Sequence, residues 1–310
     1  MFRFIITLSI LLLMNVSGLY AQTTTPTAAT PTAATPTTAT PTTSQVAVAR
    51  AIAAAQKVAN DPTGFGVLHY TINVEPTLDK PYLKGEVVGD FVSTSDNLTG
   101  ITLNLHTQYK VAKVEGASSF QQEKNNTLTV VLPAAKRFAE EFRLTISYEG
   151  EPPLVANGTI KKGLRWEKHN DGKDPIIANL STPFLAYLWY PCKDGPSGKI
   201  QNGVNVNITV PEIQFNEVDV VGVSNGVLRE VVKKNGKVTY KWEHNYPIVP
   251  YYVMCAVSNF QKLQQDYTDP YGNKFPLEYY VFKEHVNDAK AGTADMPKVM
   301  DFFSTTFGEY

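Results

Sequence analysis

The middle of this chain alternates apolar and polar residues with a period of two, the pattern of half-buried β-strands. Apolar side chains occupy every second position between residues 68 and 74. The same alternation returns in further segments, which are 101–105, 128–132, 142–148, 204–210 and 238–242. Asn235-Gly236 precedes the last of them and is a strong hairpin signal. Many short strands separated by turns predict an antiparallel all-β domain.

Two segments near the carboxyl terminus differ from this alternation. Residues 251–257 are apolar on both faces, which predicts a central strand buried on both sides, and residues 277–282 predict one more strand. The β domain is therefore expected over 64–285. Beyond it, four apolar residues recur at the spacing of one helix face: Met296, Val299, Met300 and Phe303.

The first residues have the composition of a secretory signal. Arg3 precedes an apolar run, and small residues follow up to Ala21. This order predicts a signal peptide over 1–21 that is cleaved before Gln22, and hence a secreted, periplasmic or cell-surface protein. An uncleaved membrane anchor is the alternative.

A linker and a short helix are expected between the signal peptide and the β domain. Residues 22–45 are nearly all Thr, Pro and Ala, a composition that buries too little apolar surface to fold. This linker serves either as a stalk or glycosylated spacer or as a tolerated disordered leader. Ser44 is the expected cap of a helix over 46–60. Its apolar face would consist of Val48, Ile52, Ala55 and Ala59.

Charge and cysteine content narrow the function classes. The formal net charge of −1 comes from interleaved acids and bases, so no basic stripe indicates a nucleic-acid partner. The two cysteines are Cys192 and Cys255. An oxidising compartment would permit a disulfide between them, and two buried free thiols are the other reading.

The residues alone indicate no catalytic motif. None of the five histidines has a partner at the H-E-x-x-H spacing that holds zinc on a helix. There is also no G-x-S-x-G elbow and no glycine loop for phosphate. Glu167, His169 and Asp171 alternate in a polar stretch with turn residues. They are interpreted as a solvated loop, and a metal site is the alternative.

An ordered series of segments resembles the amino-terminal β domain of the zinc aminopeptidase family, which includes aminopeptidase N and leukotriene hydrolase. The series covers roughly 66–310. Its members include Ile101-Thr102-Leu103-Asn104-Leu105, then Trp189-Tyr190-Pro191-Cys192-Lys193-Asp194, then Ser224-Asn225-Gly226, then residues 247–260 and 302–310. The resemblance implies a large antiparallel, saddle-like β domain over 64–285. Residues 286–310 would begin a truncated catalytic domain.

The resemblance also implies where the chemistry lies. In the family, zinc and the catalytic residues belong to a thermolysin-like domain, and a G-x-M-E-N loop receives the free amine of a peptide substrate. Neither G-x-M-E-N nor H-E-x-x-H occurs in these 310 residues. The expectation is therefore no catalytic residue, metal ligand or cofactor in this chain, with zinc in the intact enzyme. Its partner would be its own downstream catalytic domain.

Thr182 is the one site residue that the resemblance suggests. It stands where the family lends a Gln or Glu to the amine pocket, and Tyr187 stands where the family often has an arginine. Thr182 is therefore assigned to substrate binding, and a turn residue before Pro183 is the alternative. The parent would be a secreted aminopeptidase and this fragment inactive. The rival hypothesis is a stand-alone, non-catalytic binding module.

Overall fold

The computed structural model describes residues 43–57, 61–157, 160–169 and 172–309. The predicted signal peptide lies outside these ranges, as does the linker up to position 42. The chain divides into two compact units. The larger lies within Pro41–Leu263 and Tyr279–Ala289, and the smaller includes Gln264–Glu278 and Lys290–Tyr310. None of the described helices is long and apolar enough to cross a membrane.

The largest sheet has seven strands. In spatial order they are β15 (Val227–Lys234), β16 (Lys237–His244), β11 (Val204–Pro211), β1 (Phe65–Pro76), β2 (Leu83–Ser93), β7 (Glu141–Gly150) and β4 (Tyr109–Glu115). Neighbouring strands are antiparallel except β1 and β11, which run parallel with Tyr70 opposite Val204. The predicted antiparallel β domain therefore contains a parallel pair at its centre.

A second sheet carries the segments that matter for the site. Its five strands, in spatial order, are β14 (Val221–Val223), β17 (Ala256–Ser258), β10 (Asp174–Leu180), β9 (Ile160–His169) and β8 (Val155–Asn157). A third sheet consists of β3 (Leu98–Asn104), β6 (Thr127–Lys136) and β5 (Ser119–Gln122). The inward side chains of these sheets form one hydrophobic cluster in the larger unit.

The remaining described elements are short. Two ribbons are formed by β12 (Gln214–Phe215) with β13 (Val218–Asp219), and by β18 (Gln261–Thr268) with β19 (Lys274–Val281). The 3₁₀ turns are η1 (Ala186–Leu188), η2 (Pro196–Gly198), η3 (Pro250–Tyr252) and η4 (Lys283–His285). The α-helices are α1 (Thr43–Lys57), α2 (Val286–Gly292) and α3 (Met296–Phe307).

Most strand predictions are confirmed. Strand β1 buries the alternating apolar residues of the predicted segment 68–74. Asn235 and Gly236 connect β15 to β16 with φ values of 53° and 71°, the left-handed pair that a two-residue hairpin requires. The helical spacing beyond position 285 corresponds to α3.

The predicted central strand over 251–257 is wrong for its first five residues, 251–255. Pro250 begins η3, because a proline fixes φ and lacks the N–H that a ladder needs. Only Ala256 and the two residues after it form β17. Before β17, the side chain of Asn179 hydrogen-bonds the backbone of this segment. Its Nδ2 donates to Val253 O at 3.0 Å, and its Oδ1 accepts from Cys255 N at 2.8 Å.

The predicted buried face of the first helix is confirmed at Ala55 but wrong at Val48 and Ile52, which are exposed. Ala59 lies outside the described residues. Helix α1 buries Ala51 and Ala55 and leaves Val48 59% exposed. Ala55 packs with Leu68 of β1 and Val92 of β2. Small alanines allow the helix backbone to approach the sheet closely, whereas the larger apolar residues would hold it away.

Candidate functional site

The segment around Trp189 is hydrogen-bonded to the seven-stranded sheet through tyrosine hydroxyls of β4 and β7. Tyr109 Oη donates to Leu188 O at 3.0 Å, and Tyr148 Oη donates to Trp189 O at 2.8 Å. Burial raises the pKa of both phenols well above 10, so the hydroxyls keep the protons that they donate. These hydrogen bonds give partners to two backbone carbonyls that are not paired in a sheet. They also restrict the conformation of the loop that precedes Trp189.

A buried ion pair anchors the same segment. Lys193 Nζ lies 2.8 Å from Asp61 Oδ2, 2.6 Å from Phe65 O and 4.3 Å from the centre of the Phe65 ring. The two charged side chains are only 6% and 8% exposed. Burial lowers the pKa of Lys193. Burial alone would raise the pKa of Asp61, but hydrogen bonds from Lys193 and Thr63 outweigh it and leave that pKa below 3.8.

Asp194 fixes the loop that leads to the tyrosine-held segment. Its carboxylate accepts from Gly195 N at 2.7 Å and from Tyr187 N at 3.3 Å. Burial raises the pKa of Asp194, although these backbone bonds act in the opposite direction. Phe184 has a left-handed φ of 68°, and its ring covers Gly195 so closely that a Cβ there would lie 2.5 Å away. These contacts restrict the conformation of the loop over 182–187.

Thr182 lies at the start of this loop, two residues after the end of β10. Its side chain is half-buried, and Lys162 Nζ of β9 donates to its Oγ1 at 3.4 Å. Ser181 Oγ accepts from Asn179 Nδ2 at 3.5 Å. Tyr187 stacks on His106 with ring centres 6.1 Å apart. The substrate-binding role of Thr182 stays a prediction, and the sequence reasoning missed Lys162 as its neighbour.

His169 is not in a solvated loop, contrary to the interpretation of Glu167 and His169. Both residues lie in β9, and the His169 side chain is 11% exposed. Its Nδ1 lies 3.0 Å from Glu284 Oε1, and its Nε2 lies 2.9 Å from Asn259 Oδ1. Asp171 lies outside the described residues.

The family resemblance assigns the zinc to a downstream domain and not to the described residues. No group of three or more His, Cys, Asp or Glu side chains in the described ranges is arranged to hold a metal ion. His169 faces Asn259 and Glu284 and stacks on Phe282 with ring centres 4.0 Å apart. No chemical step through a metal follows from these side chains.

Both cysteines are free and fully buried. Burial raises the pKa of Cys255 to about 12 and that of Cys192 well above 9. Because the thiolate is the reactive form, we expect iodoacetamide at pH 8 to leave both thiols unmodified in the native protein. The same reaction in guanidinium chloride should alkylate both. Mass spectrometry distinguishes the two, and rapid alkylation of the native chain would contradict the buried placement.

Comparison with known families decides the assignment. The sequence profile of the Peptidase M1 N-terminal domain matches residues 67–252, more than half of the chain. The chain belongs to this family. Trp189, Lys193 and Thr182 all lie within the matched range. A comparison with curated proteins gave no match.

Solved structures of M1 zinc metallopeptidases share the fold. The M1 zinc metallopeptidase of Deinococcus radiodurans aligns with a TM-score of 0.66 at 22% identity, over 80% of this chain and 54% of that one. A variant of that protein bound to a Tyr-Ser-Ala substrate aligns with a TM-score of 0.68 at 21% identity, with the same coverage. The chain thus spans about half the length of these proteins.

Proposed function

We propose that this chain is the amino-terminal β domain of a secreted zinc metallo-aminopeptidase that removes amino-terminal residues from peptides. The observation that carries the proposal is the family match over residues 67–252. The zinc and the catalytic groups would belong to a following domain, as the family resemblance implies, and the alignment leaves about half of the aligned metallopeptidases unmatched. The signal-like first residues support export.

In this proposal the β domain supplies a wall of the substrate site rather than the reacting groups. Thr182 is the substrate-binding residue, since its loop is fixed by Asp194 and by the tyrosine-held segment. A fixed loop suits this role, because a substrate must be held in one orientation for efficient hydrolysis. The peptide and the downstream catalytic domain are the partners.

The proposal is tested by peptide hydrolysis with two proteins. One is the 310-residue chain. The other is the product of the longer reading frame that contains it. We expect the longer protein to release alanine from Ala-p-nitroanilide, and we expect a zinc chelator to abolish the release until zinc is added back. The chain alone should release none. A longer product without chelator-sensitive activity would favour the non-catalytic binding module instead.

A further inference from the structure

The polar groups around Thr182 offer hydrogen-bond donors. Thr182 Oγ1 accepts from Lys162, so its own proton is left to donate. Ser181 Oγ accepts from Asn179, so the Ser181 hydroxyl proton is also left to donate. The Lys162 ammonium can donate two further bonds. Neither hydroxyl proton has an acceptor among the described residues.

The charge of this group is not balanced locally. Lys162 forms no ion pair with any residue of the described ranges. Among these residues, its ammonium donates a hydrogen bond to the Thr182 hydroxyl. On the same face of the β8–β9 hairpin, Val155 lies opposite Lys162, and Ile160 is 54% exposed. A single cation with donor hydroxyls thus lies beside apolar side chains.

Such a group does not suit a substrate ammonium. The Lys162 charge repels an ammonium, whereas Lys162, Thr182 and Ser181 all have protons to donate to an anion. We infer that Lys162 and Thr182 bind the side-chain carboxylate of an acidic residue at the amino terminus of the peptide substrate. This inference rests on the proposed function, because it uses Thr182 as a wall of the substrate site. Lys162 would be a specificity-determining residue.

Binding to the 310-residue chain tests the inference without any hydrolysis. The probes are the amides of Glu-Ala-Ala and Gln-Ala-Ala, which differ by one carboxylate and lack a carboxyl terminus. Ligand-observed NMR titration gives their dissociation constants. We expect the Glu peptide to bind about fivefold more tightly than the Gln peptide, the upper range for a partly exposed ion pair.

Two matched variants assign the preference. Lys162→Met should make the two peptides bind equally. Lys161→Met should keep the preference, because Lys161 lies opposite Ala156 on the other face of the hairpin. Equal binding by the wild-type chain, no binding up to about 10 mM, or a preference that survives in Lys162→Met would overturn the inference. Failure of hydrolysis alone would remove the proposed function and leave the carboxylate preference measurable.

Discussion

Replacing Asp61 by alanine should destabilise the protein by about 3 kcal/mol, because it leaves the buried Lys193 ammonium without its counter-charge. The remaining partners of that ammonium are one carbonyl and the face of the Phe65 ring. Neither compensates for the desolvation of a full charge. Guanidinium unfolding followed by tryptophan fluorescence measures the change as a shift of the midpoint.

A surface ion pair provides the control for this prediction. Lys241 and Glu230 are 2.8 Å apart, but their side chains are 41% and 56% exposed. Water solvates both partners there, so Glu230→Ala should change the midpoint little. Equal effects of the two substitutions would contradict the burial of the Asp61–Lys193 pair.

The same pair gives the stability a pH dependence with a definite sign. The pKa of Asp61 in the folded protein lies below 3.8, its ordinary value. Its contribution is therefore fully present above pH 3.8 and is lost as the pH falls through the folded-state pKa. The Asp61→Asn variant should lack this component of the acid-induced loss, which unfolding curves between pH 5 and 3 would reveal.

Trp189→Ala should cost about 3–5 kcal/mol, the range for emptying a buried aromatic position. Trp189 is fully buried, and its ring meets that of Tyr190 edge to face at 4.5 Å. The substitution would also loosen the segment that Tyr148 holds through Trp189 O. Thermal and guanidinium unfolding measure the loss.

Two further substitutions show whether packing is the cause. The buried indole nitrogen of Trp189 has no hydrogen-bond partner among the described residues, so Trp189→Phe removes volume but no hydrogen bond. It should cost well under half of the alanine substitution. Tyr246 is 72% exposed, and Tyr246→Ala should cost little. A Phe variant as unstable as the Ala variant would mean that the indole N–H has a partner and that packing is not the whole cause.

The fold was predictable where the pattern of buried and exposed residues repeats between near neighbours in the sequence. The alternation in β1 and the Asn235-Gly236 turn identify their elements because each depends on neighbouring residues. The parallel pairing of β1 with β11 was not predictable, because it joins strands that are distant in sequence. The start of the predicted strand at 251–257 failed for a similar reason. The side chain of Asn179 supplies the bonds that a ladder would have made.

The candidate site shows the same division. Thr182 came from a family resemblance that depends on sequence order. Its neighbour Lys162 depends on the register between β9 and β10, where Gly163 lies opposite Leu180. No local pattern encodes that register. The Asp61–Lys193 pair was equally hidden, since a charged residue in a sequence normally indicates an exposed position.

The central proposal is that this β domain is part of a zinc aminopeptidase. Its most direct test is the sequence of the encoding DNA beyond the codon for residue 310. The account predicts an open frame that encodes G-x-M-E-N followed by H-E-x-x-H. A stop codon directly after that position, or an open frame without these motifs, would contradict it.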